Sequence, residues 1–525
     1  MLVFILAFSL TACNKDTAPE TAASPNSSSS NSNNDDSNNQ NNDDNSPSTS
    51  GAPAEITVAY KWFPNSLDPI SEDSAMVMSI VYHICDRLVN FDSDNNMYPG
   101  VATSWRQVDS LTWEFDISLD YMFQNGDKLT MDDIVFSIQR LKDIPRSADI
   151  GVLIDSIFYE GNKLTIRVVE ENNSLLTRIL STAIIVNKNY IEENGEDAVF
   201  SKPIGTGPYK IAEFTPGTIA VLEKWEDYPF EKPQIDKITF IVSAEDAARY
   251  ILIETGQAQY TAWLTPYEMD LAERNDKTST FYGESRKISS ICFNCERPPF
   301  DNVNVRRALS YAVDRDAFAS LQGGGRPPIR SILFGGYSMY YESPNLPDYN
   351  LDKAKELLES EGYNESNPLR FELLTYAPAD PGLELYQSAL KSIGVEMQIN
   401  AVEISVMMSM EGSGDFEVEW VNQLNRGNHP LTDLDRFDYV NFFGTRDISR
   451  YYNKRVQEIV ERMRVSSDQQ EMDALTIEIN DILADEVPMI GVIIPQNLAA
   501  MDSRLSGVVI RPDVVMNFRD AIYSG

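Results

Sequence analysis

A long segment without large apolar side chains divides this chain into two unequal parts. Residues 14–54 contain no Val, Ile, Leu, Met, Phe, Tyr or Trp and consist mainly of Asn, Ser and Asp. Such a segment cannot bury enough apolar surface to offset the entropy lost on ordering, so we expect a disordered linker. As a flexible coil it would reach about 35 Å. The folded body therefore begins near Glu55, and its length to Gly525 suits two or more lobes.

The linker follows a short apolar run that ends at a cysteine. Leu2 to Leu10 has the composition of a signal-peptide core but is too short to span a bilayer. The small residues before Cys13 resemble a lipobox, the site at which bacterial lipoproteins are diacylated on the cysteine and cleaved before it. No basic residue precedes the run, so we expect residues 1–13 to be a lipoprotein signal whose true start lies upstream. The alternative is a free apolar N-terminus with an incidental cysteine.

This interpretation predicts an exported protein, tethered through Cys13 at the outer face of the cytoplasmic membrane or on the periplasmic side in a two-membrane cell. After residue 13 no stretch is long and apolar enough to span a bilayer, so we expect membrane contact through the lipid alone. The formal net charge is −37, from 80 acidic and 43 basic residues. This excess argues against binding of nucleic acid, or of anionic lipid, through a basic patch.

The three cysteines of the body give little support to redox or metal chemistry. Cys292 and Cys295 have C-x-x-C spacing, but they lie in a strand-like run, whereas a redox pair opens a helix whose N-terminus lowers the thiol pKa. A zinc site needs further ligands, and the chain has only two histidines, His83 and His429. We therefore expect no metal and no cofactor. A disulfide that involves Cys85, Cys292 or Cys295 stays open, because sequence does not fix the pairing.

Strand and helix patterns alternate through the body and predict mixed α/β lobes. The predicted strands are 56–60, 112–117, 163–169, 219–223, 237–242, 370–376 and 397–402. The predicted helices, each with apolar residues at helical spacing, are 131–141, 305–318, 351–361, 383–393 and 471–486. Gly362 and Gly394 each follow a predicted helix and are expected to adopt the left-handed cap conformation.

Five segments in order along the chain carry a family resemblance. They are Leu88-Val-Asn-Phe91 with Pro99-Gly-Val-Ala-Thr-Ser-Trp105, Asn125-Gly-Asp-Lys-Leu-Thr-Met-Asp-Asp-Ile-Val-Phe136, Pro203-Ile-Gly-Thr-Gly-Pro-Tyr-Lys210, the run from Asn294 to Arg315, and Asp352-Lys-Ala-Lys-Glu-Leu-Leu358 with Gly362-Tyr363. Together they resemble the extracytoplasmic solute-binding proteins of the oligopeptide and dipeptide type, family 5, which serve ABC importers.

The resemblance implies a two-lobed α/β fold of the periplasmic-binding-protein type II class, in the peptide-binding subclass with an extra inserted subdomain. Lobe I would comprise residues 55–91, 200–291 and 496–525, and lobe II would comprise 292–495. The inserted subdomain would occupy 92–199. The hinge is expected at Phe293, Asn294 and Pro495. A ligand that contacts both lobes would stabilise the closed state, which the importer's permease and ATPase complex would recognise. We expect a monomer.

The expected ligand segment departs from the family pattern. Peptide-binding members carry a W-x-x-D-Y-x-D-P segment whose Asp pairs with the α-ammonium of the peptide. The equivalent here runs from Trp420 to Pro430 and has no carboxylate; the candidate ligand-binding residues in and after it are Trp420, Asn422, Asn425, Arg426, His429 and Asp433. Either Asp433 or Asp435 replaces the anchor, or the ligand has no free amine there, because a buried ammonium needs a counter-ion. A third alternative is an ordinary surface loop.

On the facing lobe the candidates are aromatic. Tyr60 and Trp62 lie at or just after the first strand, where they either cover an extended ligand or belong to the lobe core. The leading hypothesis is a lipid-anchored peptide-binding component of an ABC importer. The alternatives are the same fold with a sugar or metal chelate, or a sensor or adhesin. An enzyme is not expected, since no G-x-S-x-G or H-E-x-x-H motif occurs.

Overall fold

The computed structural model describes most of the body. The described residues are 53–70, 74–92, 97–143, 151, 153–171, 179–180, 183–284, 287–321, 328–331, 341–376, 379–424, 434, 436–442, 447–466 and 468–524. The predicted signal, Cys13 and residues 14–52 of the predicted linker lie outside them.

The strands are numbered here in chain order. They are β1 (Glu55–Tyr60), β2 (Val89–Phe91), β3 (Met97–Pro99), β4 (Ala102–Asp109), β5 (Thr112–Ile117), β6 (Ile154–Glu160), β7 (Lys163–Val168), β8 (Tyr209–Thr215), β9 (Ile219–Lys224), β10 (Lys237–Val242), β11 (Tyr260–Ala262), β12 (Thr278–Glu284), β13 (Lys287–Phe293), β14 (Arg370–Tyr376), β15 (Glu396–Val402), β16 (Val418–Leu424), β17 (Met489–Ile493), β18 (Gln496–Asp502), β19 (Leu505–Ser506), β20 (Val509–Ile510), β21 (Met516–Asn517) and β22 (Ile522–Tyr523).

The helices are numbered in the same way. They are α1 (Ala75–Ile84), α2 (Met131–Asp143), α3 (Lys188–Asn194), α4 (Asp197–Ser201), α5 (Asp246–Glu254), α6 (Pro266–Glu273), α7 (Val303–Tyr311), α8 (Arg315–Leu321), α9 (Leu351–Ser360), α10 (Gly382–Ser392), α11 (Ile404–Ser413), α12 (Tyr439–Phe442), α13 (Lys454–Val465) and α14 (Gln469–Glu486).

The largest sheet has seven strands in the order β12-β18-β11-β1-β10-β9-β8. Its centre is parallel, since β1 pairs in parallel with both β10 and β11. Helix α1 packs on one face, and the core beneath it contains Val58, Tyr60, Ile80 and Phe240, all fully buried. The C-terminal segment joins this core, because His83 of α1 accepts a hydrogen bond from the Phe518 backbone N–H at 2.9 Å.

The second sheet has five strands in the order β15-β14-β16-β13-β17. Helices cover both faces, with one apolar core around Phe300, Leu309 and Trp420 and another around Leu434, Ile459 and Ile479. A four-stranded sheet, β4-β5-β7-β6, lies in the region predicted as the inserted subdomain. These layers form a mixed α/β fold of the two-lobed periplasmic-binding-protein class, as predicted.

A buried ion pair ties the four-stranded region to the large sheet. Arg140 of α2 donates to Asp68 Oδ2 at 2.7 Å, and both side chains are at most 2% exposed. Asp68 belongs to the loop between β1 and α1, so the pair crosses between the two regions. The apolar core of the four-stranded region also includes Ile70 and Leu88, which precede the predicted boundary at residue 92.

The chain passes twice between the two large sheets. The first passage runs from Glu284, the end of β12, to Lys287, the start of β13, and the second runs through Ile494 and Pro495, between β17 and β18. The predicted lobe boundary at 291/292 therefore falls inside β13. Pro495 lies in the second passage, whereas Phe293 and Asn294 lie at the opposite end of β13, each at most 1% exposed. Their hinge role stays a prediction.

One predicted helix is broken. The expected helix 305–318 consists of α7 and α8, separated at Ala312, Val313 and Asp314. The break follows from a cap, because Asp314 Oδ1 accepts a hydrogen bond from the Ala317 backbone N–H at 3.0 Å. The glycine predictions are confirmed, with positive φ at Gly362 (88°) and Gly394 (84°).

Candidate functional site

On both large sheets, the two passages connect at the edge where the parallel strands have their carboxyl ends. Parallel strands β1, β10 and β11 end at Tyr60, Val242 and Ala262, and β12 leaves the large sheet at that edge. In the five-stranded sheet, parallel strands β14 and β16 end at the edge where β13 begins and β17 ends. The carboxyl ends of parallel strands are the usual place for ligand sites in α/β folds. We therefore take the space between these two edges, called here the cleft, as the candidate site.

Two tryptophans lie on the edge of the seven-stranded sheet. Trp62 follows β1 and is 46% exposed, and its ring stacks on that of Trp263 at a centroid distance of 4.5 Å. Trp263 follows β11 and has φ +56°, a conformation that bulky residues rarely adopt. Strain of this kind persists only where surrounding contacts hold it and is common at ligand sites. The pair presents a rigid aromatic surface at the edge.

A buried arginine fixes the loops around these rings. Arg249 is 0% exposed and donates to the carbonyl oxygens of Ser243, Ala244 and Trp263 at 2.8–2.9 Å. Its guanidinium also pairs with Asp246, which in turn lies 3.4 Å from Lys61 Nζ. The charges on this edge therefore have partners within the protein.

A hydrogen-bonded polar chain lies on the edge of the five-stranded sheet. Ser289 Oγ donates to Asn422 Oδ1, and Asn422 Nδ2 donates to the Tyr376 hydroxyl at 2.6 Å. Both amide atoms of Asn422 are engaged, which holds the Tyr376 hydroxyl in place at the end of β14. Burial raises the pKa of Tyr376, so the group stays a neutral donor at physiological pH.

Asp380 is the site residue that sequence reasoning missed. It lies between β14 and α10, close enough to Tyr376 for its charge to affect the pKa of that hydroxyl. Its Oδ1 accepts a hydrogen bond from the Gly382 backbone N–H at 2.8 Å, and within the described part of the chain it makes no ion pair. Burial raises the pKa of this carboxyl. A partly buried carboxylate without a cation is a place where a cationic ligand group gains the most.

The structure separates the sequence-predicted residues into three groups. Tyr60 and Trp420 lie in apolar cores at 0% and 1% exposure, Tyr60 stacked on Phe240 and Trp420 on Phe318. For Tyr60 this location favours the lobe-core alternative. Trp62 and Asn422 lie at the two edges of the cleft. Asn425, Arg426, His429 and Asp433 lie outside the described residues, so their ligand-binding role stays a prediction.

In the described regions, the histidine and the cysteines lie in or against the apolar cores. Nδ1 of His83 lies 2.6 Å from the Ser79 carbonyl oxygen, and burial lowers its pKa to about 3. Cys85, Cys292 and Cys295 are free thiols, and burial raises the pKa of each. Among the residues that the structure describes, no group of three His, Cys, Asp or Glu could hold a metal ion.

Residues 96–443 match the model of the bacterial extracellular solute-binding proteins, family 5 middle. The chain belongs to this family. It is 24% identical over 492 residues to the glutathione-binding protein GsiB of Escherichia coli O1:K1, covering 90% of this chain and 95% of that protein.

Solved structures with the same fold bind different ligands. The dipeptide-binding protein of Pseudoalteromonas sp. SM9913, in complex with Met-Leu, superposes with a TM-score of 0.80 at 19% identity over 90% of this chain and all of that one. NikA of Staphylococcus aureus, in complex with Ni(L-His)2, superposes with a TM-score of 0.76. The identity is 20%, over 89% of this chain and all of that one.

Family membership establishes the general role. The chain is an extracytoplasmic solute-binding protein of the ABC-importer class, and not an enzyme. In the described part of the chain, every helix is too short or too polar to cross a membrane.

Proposed function

We propose that this protein captures peptides in the cleft by closure of its two lobes and delivers them to an ABC permease and ATPase complex. The observation that carries the proposal is the Asp380 carboxylate, which makes no ion pair among the described residues and follows β14 at the edge of the five-stranded sheet. The sequence relative GsiB is named for glutathione, and one structural relative holds the dipeptide Met-Leu. Both relatives therefore support a peptide ligand.

Asp380 favours a ligand with a cationic group over a neutral sugar. Its carboxylate has one backbone hydrogen bond and a raised pKa, so a ligand ammonium would replace solvent as the partner of the second oxygen. The α-ammonium of a peptide has this charge, and the Tyr376 hydroxyl, held by Asn422, lies beside it as a neutral donor for a peptide carbonyl. Asp380 would then supply the carboxylate that the Trp420–Pro430 segment lacks.

The placement of these groups on opposite edges supports closure. Trp62 and Trp263 follow strands of the seven-stranded sheet, whereas Tyr376 ends a strand of the five-stranded sheet and Asp380 follows that strand. A peptide that contacts both edges binds the closed state more tightly than the open one and shifts the population toward it. The second passage, Ile493 to Gln496, is a place where the backbone would absorb the rotation.

The test is small-angle scattering of residues 54–525 with and without a mixed library of short peptides. We expect the radius of gyration to decrease on addition of the peptides and to be unchanged by the corresponding free amino acid amides. Native mass spectrometry of the same sample identifies the bound masses. Compaction with a nickel chelate or a sugar, and none with peptides, would overturn the peptide assignment.

We further propose that Cys13 carries a lipid and that residues 14–54 hold the body away from the membrane. The support is the lipobox-like Leu10-Thr-Ala-Cys13 and the absence of large apolar residues from the segment after it. Expression of the chain in a bacterial host as wild type and Cys13→Ser tests this. The wild-type protein is expected in the membrane fraction and the variant in the medium or periplasm; equal distribution of the two would contradict the anchor.

A further inference from the structure

A second cavity lies outside the cleft, between the end of α1, the β2–β3 hairpin and the C-terminal segment. Its volume is about 340 Å³, and its walls include Tyr82, Arg87, Phe91, Tyr98, Arg511 and Arg519. This volume is in the range of small-molecule sites. Three guanidinium groups around one cavity are unexpected in a chain with a net charge of −37.

Two of the three arginines have acidic partners within the protein. Arg519 Nη1 lies 2.7 Å from Asp86 Oδ1, and Asp86 also accepts a hydrogen bond from the Thr206 hydroxyl. Arg511 Nη2 lies 2.7 Å from Asp513 Oδ2. These pairs hold the two guanidinium groups at the cavity wall and offset their charges.

Arg87 differs from both. It is 6% exposed and makes no ion pair in the part of the chain that the structure describes. Its guanidinium lies over the Tyr82 ring at 3.9 Å and faces the Phe91 ring at 5.5 Å, and Nη2 reaches Asn90 Oδ1 at 3.5 Å. Its Nη1 is buried without a hydrogen-bond partner, as is Nε of Arg519. Burial and the like charge of Arg511 lower the pKa of Arg87. A buried cation in this state is costly unless an anion approaches it.

We propose that this cavity binds a small organic monocarboxylate, with the carboxylate at Arg87 and the apolar body against the aromatic walls. A planar carboxylate matches the guanidinium fork, and Tyr98, which is 45% exposed, offers a ring face to a flat ligand. Asp92 and Asp520 also line the cavity, and their charges disfavour ligands with two or more negative charges. A single carboxylate therefore fits better than a phosphate.

This site is independent of the proposed peptide function. Its residues come from 82–98 and 509–520, and none of them lies among the cleft residues Trp62, Trp263, Tyr376, Asp380 and Asn422. A ligand here contacts α1 and the C-terminal strands together, so its binding would stabilise the packing of the C-terminal segment on the large sheet.

The test uses benzoate as the probe and benzamide as its neutral isostere, with the purified protein in calorimetric titration. We expect saturable binding of benzoate and at least about tenfold weaker binding of benzamide, since a charged hydrogen-bonded contact is lost. Arg87→Gln is expected to weaken the binding of benzoate by about tenfold or more, and Arg87→Lys is expected to weaken it by less. Arg370→Gln, which removes an exposed pair with Glu396, is the matched control and should leave benzoate binding unchanged.

Two results with benzoate would overturn the proposal. One is equal affinity of the wild-type protein for benzoate and benzamide, or no binding of either, which needs no variant to interpret. The other is benzoate binding that Arg87→Gln leaves unchanged. Inorganic phosphate that binds at Arg87 more tightly than benzoate would also overturn the assignment to monocarboxylates.

Discussion

The two edges of the cleft differ in how their charged groups are satisfied. On the seven-stranded edge, Arg249 and Lys61 both pair with Asp246, and the backbone carbonyls around them accept from the buried guanidinium. On the five-stranded edge, Asp380 has a single backbone hydrogen bond and no cation among the described residues. The first edge is therefore preorganised without a ligand, whereas the second keeps a charge whose partner the ligand can supply.

The five-stranded sheet also carries a fully buried acid. Glu419 of β16 is 0% exposed, and neither carboxyl oxygen has a hydrogen-bond partner in the described structure. Burial and the neighbouring Glu411 raise its pKa. Neither Asp380 nor Glu419 makes an ion pair within the described part of the chain, but only Asp380 lies at the candidate cleft.

The largest expected effect comes from breaking the preorganised edge. Arg249→Ala is expected to lower the free energy of unfolding by about 3–5 kcal/mol, because it leaves Asp246 and three carbonyl oxygens without their buried donor. Urea denaturation measures this. The control is Arg274→Ala, which removes an exposed pair with Asp270 and should cost less than about 1 kcal/mol. Equal effects of the two substitutions would show that the buried network does not hold this edge.

The buried acids predict a pH dependence of stability. Burial raises the pKa of Asp447 from 3.8 to about 7. Burial also raises the pKa values of Glu411 and Glu419. The folded state therefore holds protons that the unfolded state releases, so the stabilising contribution is complete below about pH 4 and is lost as pH rises through 7. For Asp447 we expect a loss of about 2 kcal/mol between pH 5 and 8.

Denaturation at the two pH values checks this, with Glu419→Gln as the comparison. The variant should lose less stability between pH 5 and 8 than the wild type, because it has no proton to release at that position. A wild-type stability that is higher at pH 8 than at pH 5 would contradict the raised pKa values.

The aromatic edge predicts a smaller effect on binding. Trp62→Ala is expected to weaken peptide binding by about three- to tenfold, since an aromatic contact of this kind contributes roughly 1 kcal/mol. Titration calorimetry with a peptide found in the scattering screen measures the change. Phe158→Ala, at a 55% exposed position in the four-stranded region, should have no effect. Equal affinities for wild type and Trp62→Ala would remove this edge from the site.

The smallest effect concerns the ligand-free protein. Asp380→Asn is expected to raise the free energy of unfolding without ligand by up to about 1 kcal/mol, because it removes a partly buried charge that no cation offsets. Thermal unfolding measures the change. Destabilisation of similar size would indicate that Asp380 has a structural role through Gly382.

Much of the fold could be predicted because strands and helices carry local signals. The bounds of β5, β10 and β14 equal the predicted ones, since apolar and β-branched residues end sharply at polar turns. The break between α7 and α8 was missed because Ala312 and Val313 continue the apolar face across it. The first passage between the sheets was misplaced because nothing in the Lys-Ile-Ser-Ser-Ile-Cys-Phe sequence of β13 tells which sheet it joins, and its sheet membership depends on pairing with β16.

Long-range polar contacts were the least predictable part. Arg306 and Arg315 lie in a segment with several aspartates, a pattern typical of a solvated helix face, but both are 4% exposed. Arg306 donates to the Glu486 and Val487 carbonyl oxygens at the end of α14, a contact 180 residues away that sequence does not indicate. Asp380 was missed for a related reason. Ala-Asp-Pro-Gly indicates a turn, and only the packing of the sheet shows that the turn lies at the cleft.

The most direct test of the contrast between the edges is a four-way binding measurement. It compares one peptide with a free amine and the same peptide acetylated at its N-terminus, each titrated into wild-type protein and Asp380→Asn. We expect acetylation to weaken wild-type binding by about 10- to 100-fold and to have little effect on the variant. An equal effect of acetylation on both proteins would contradict the assignment of Asp380 as the partner of the ligand's ammonium.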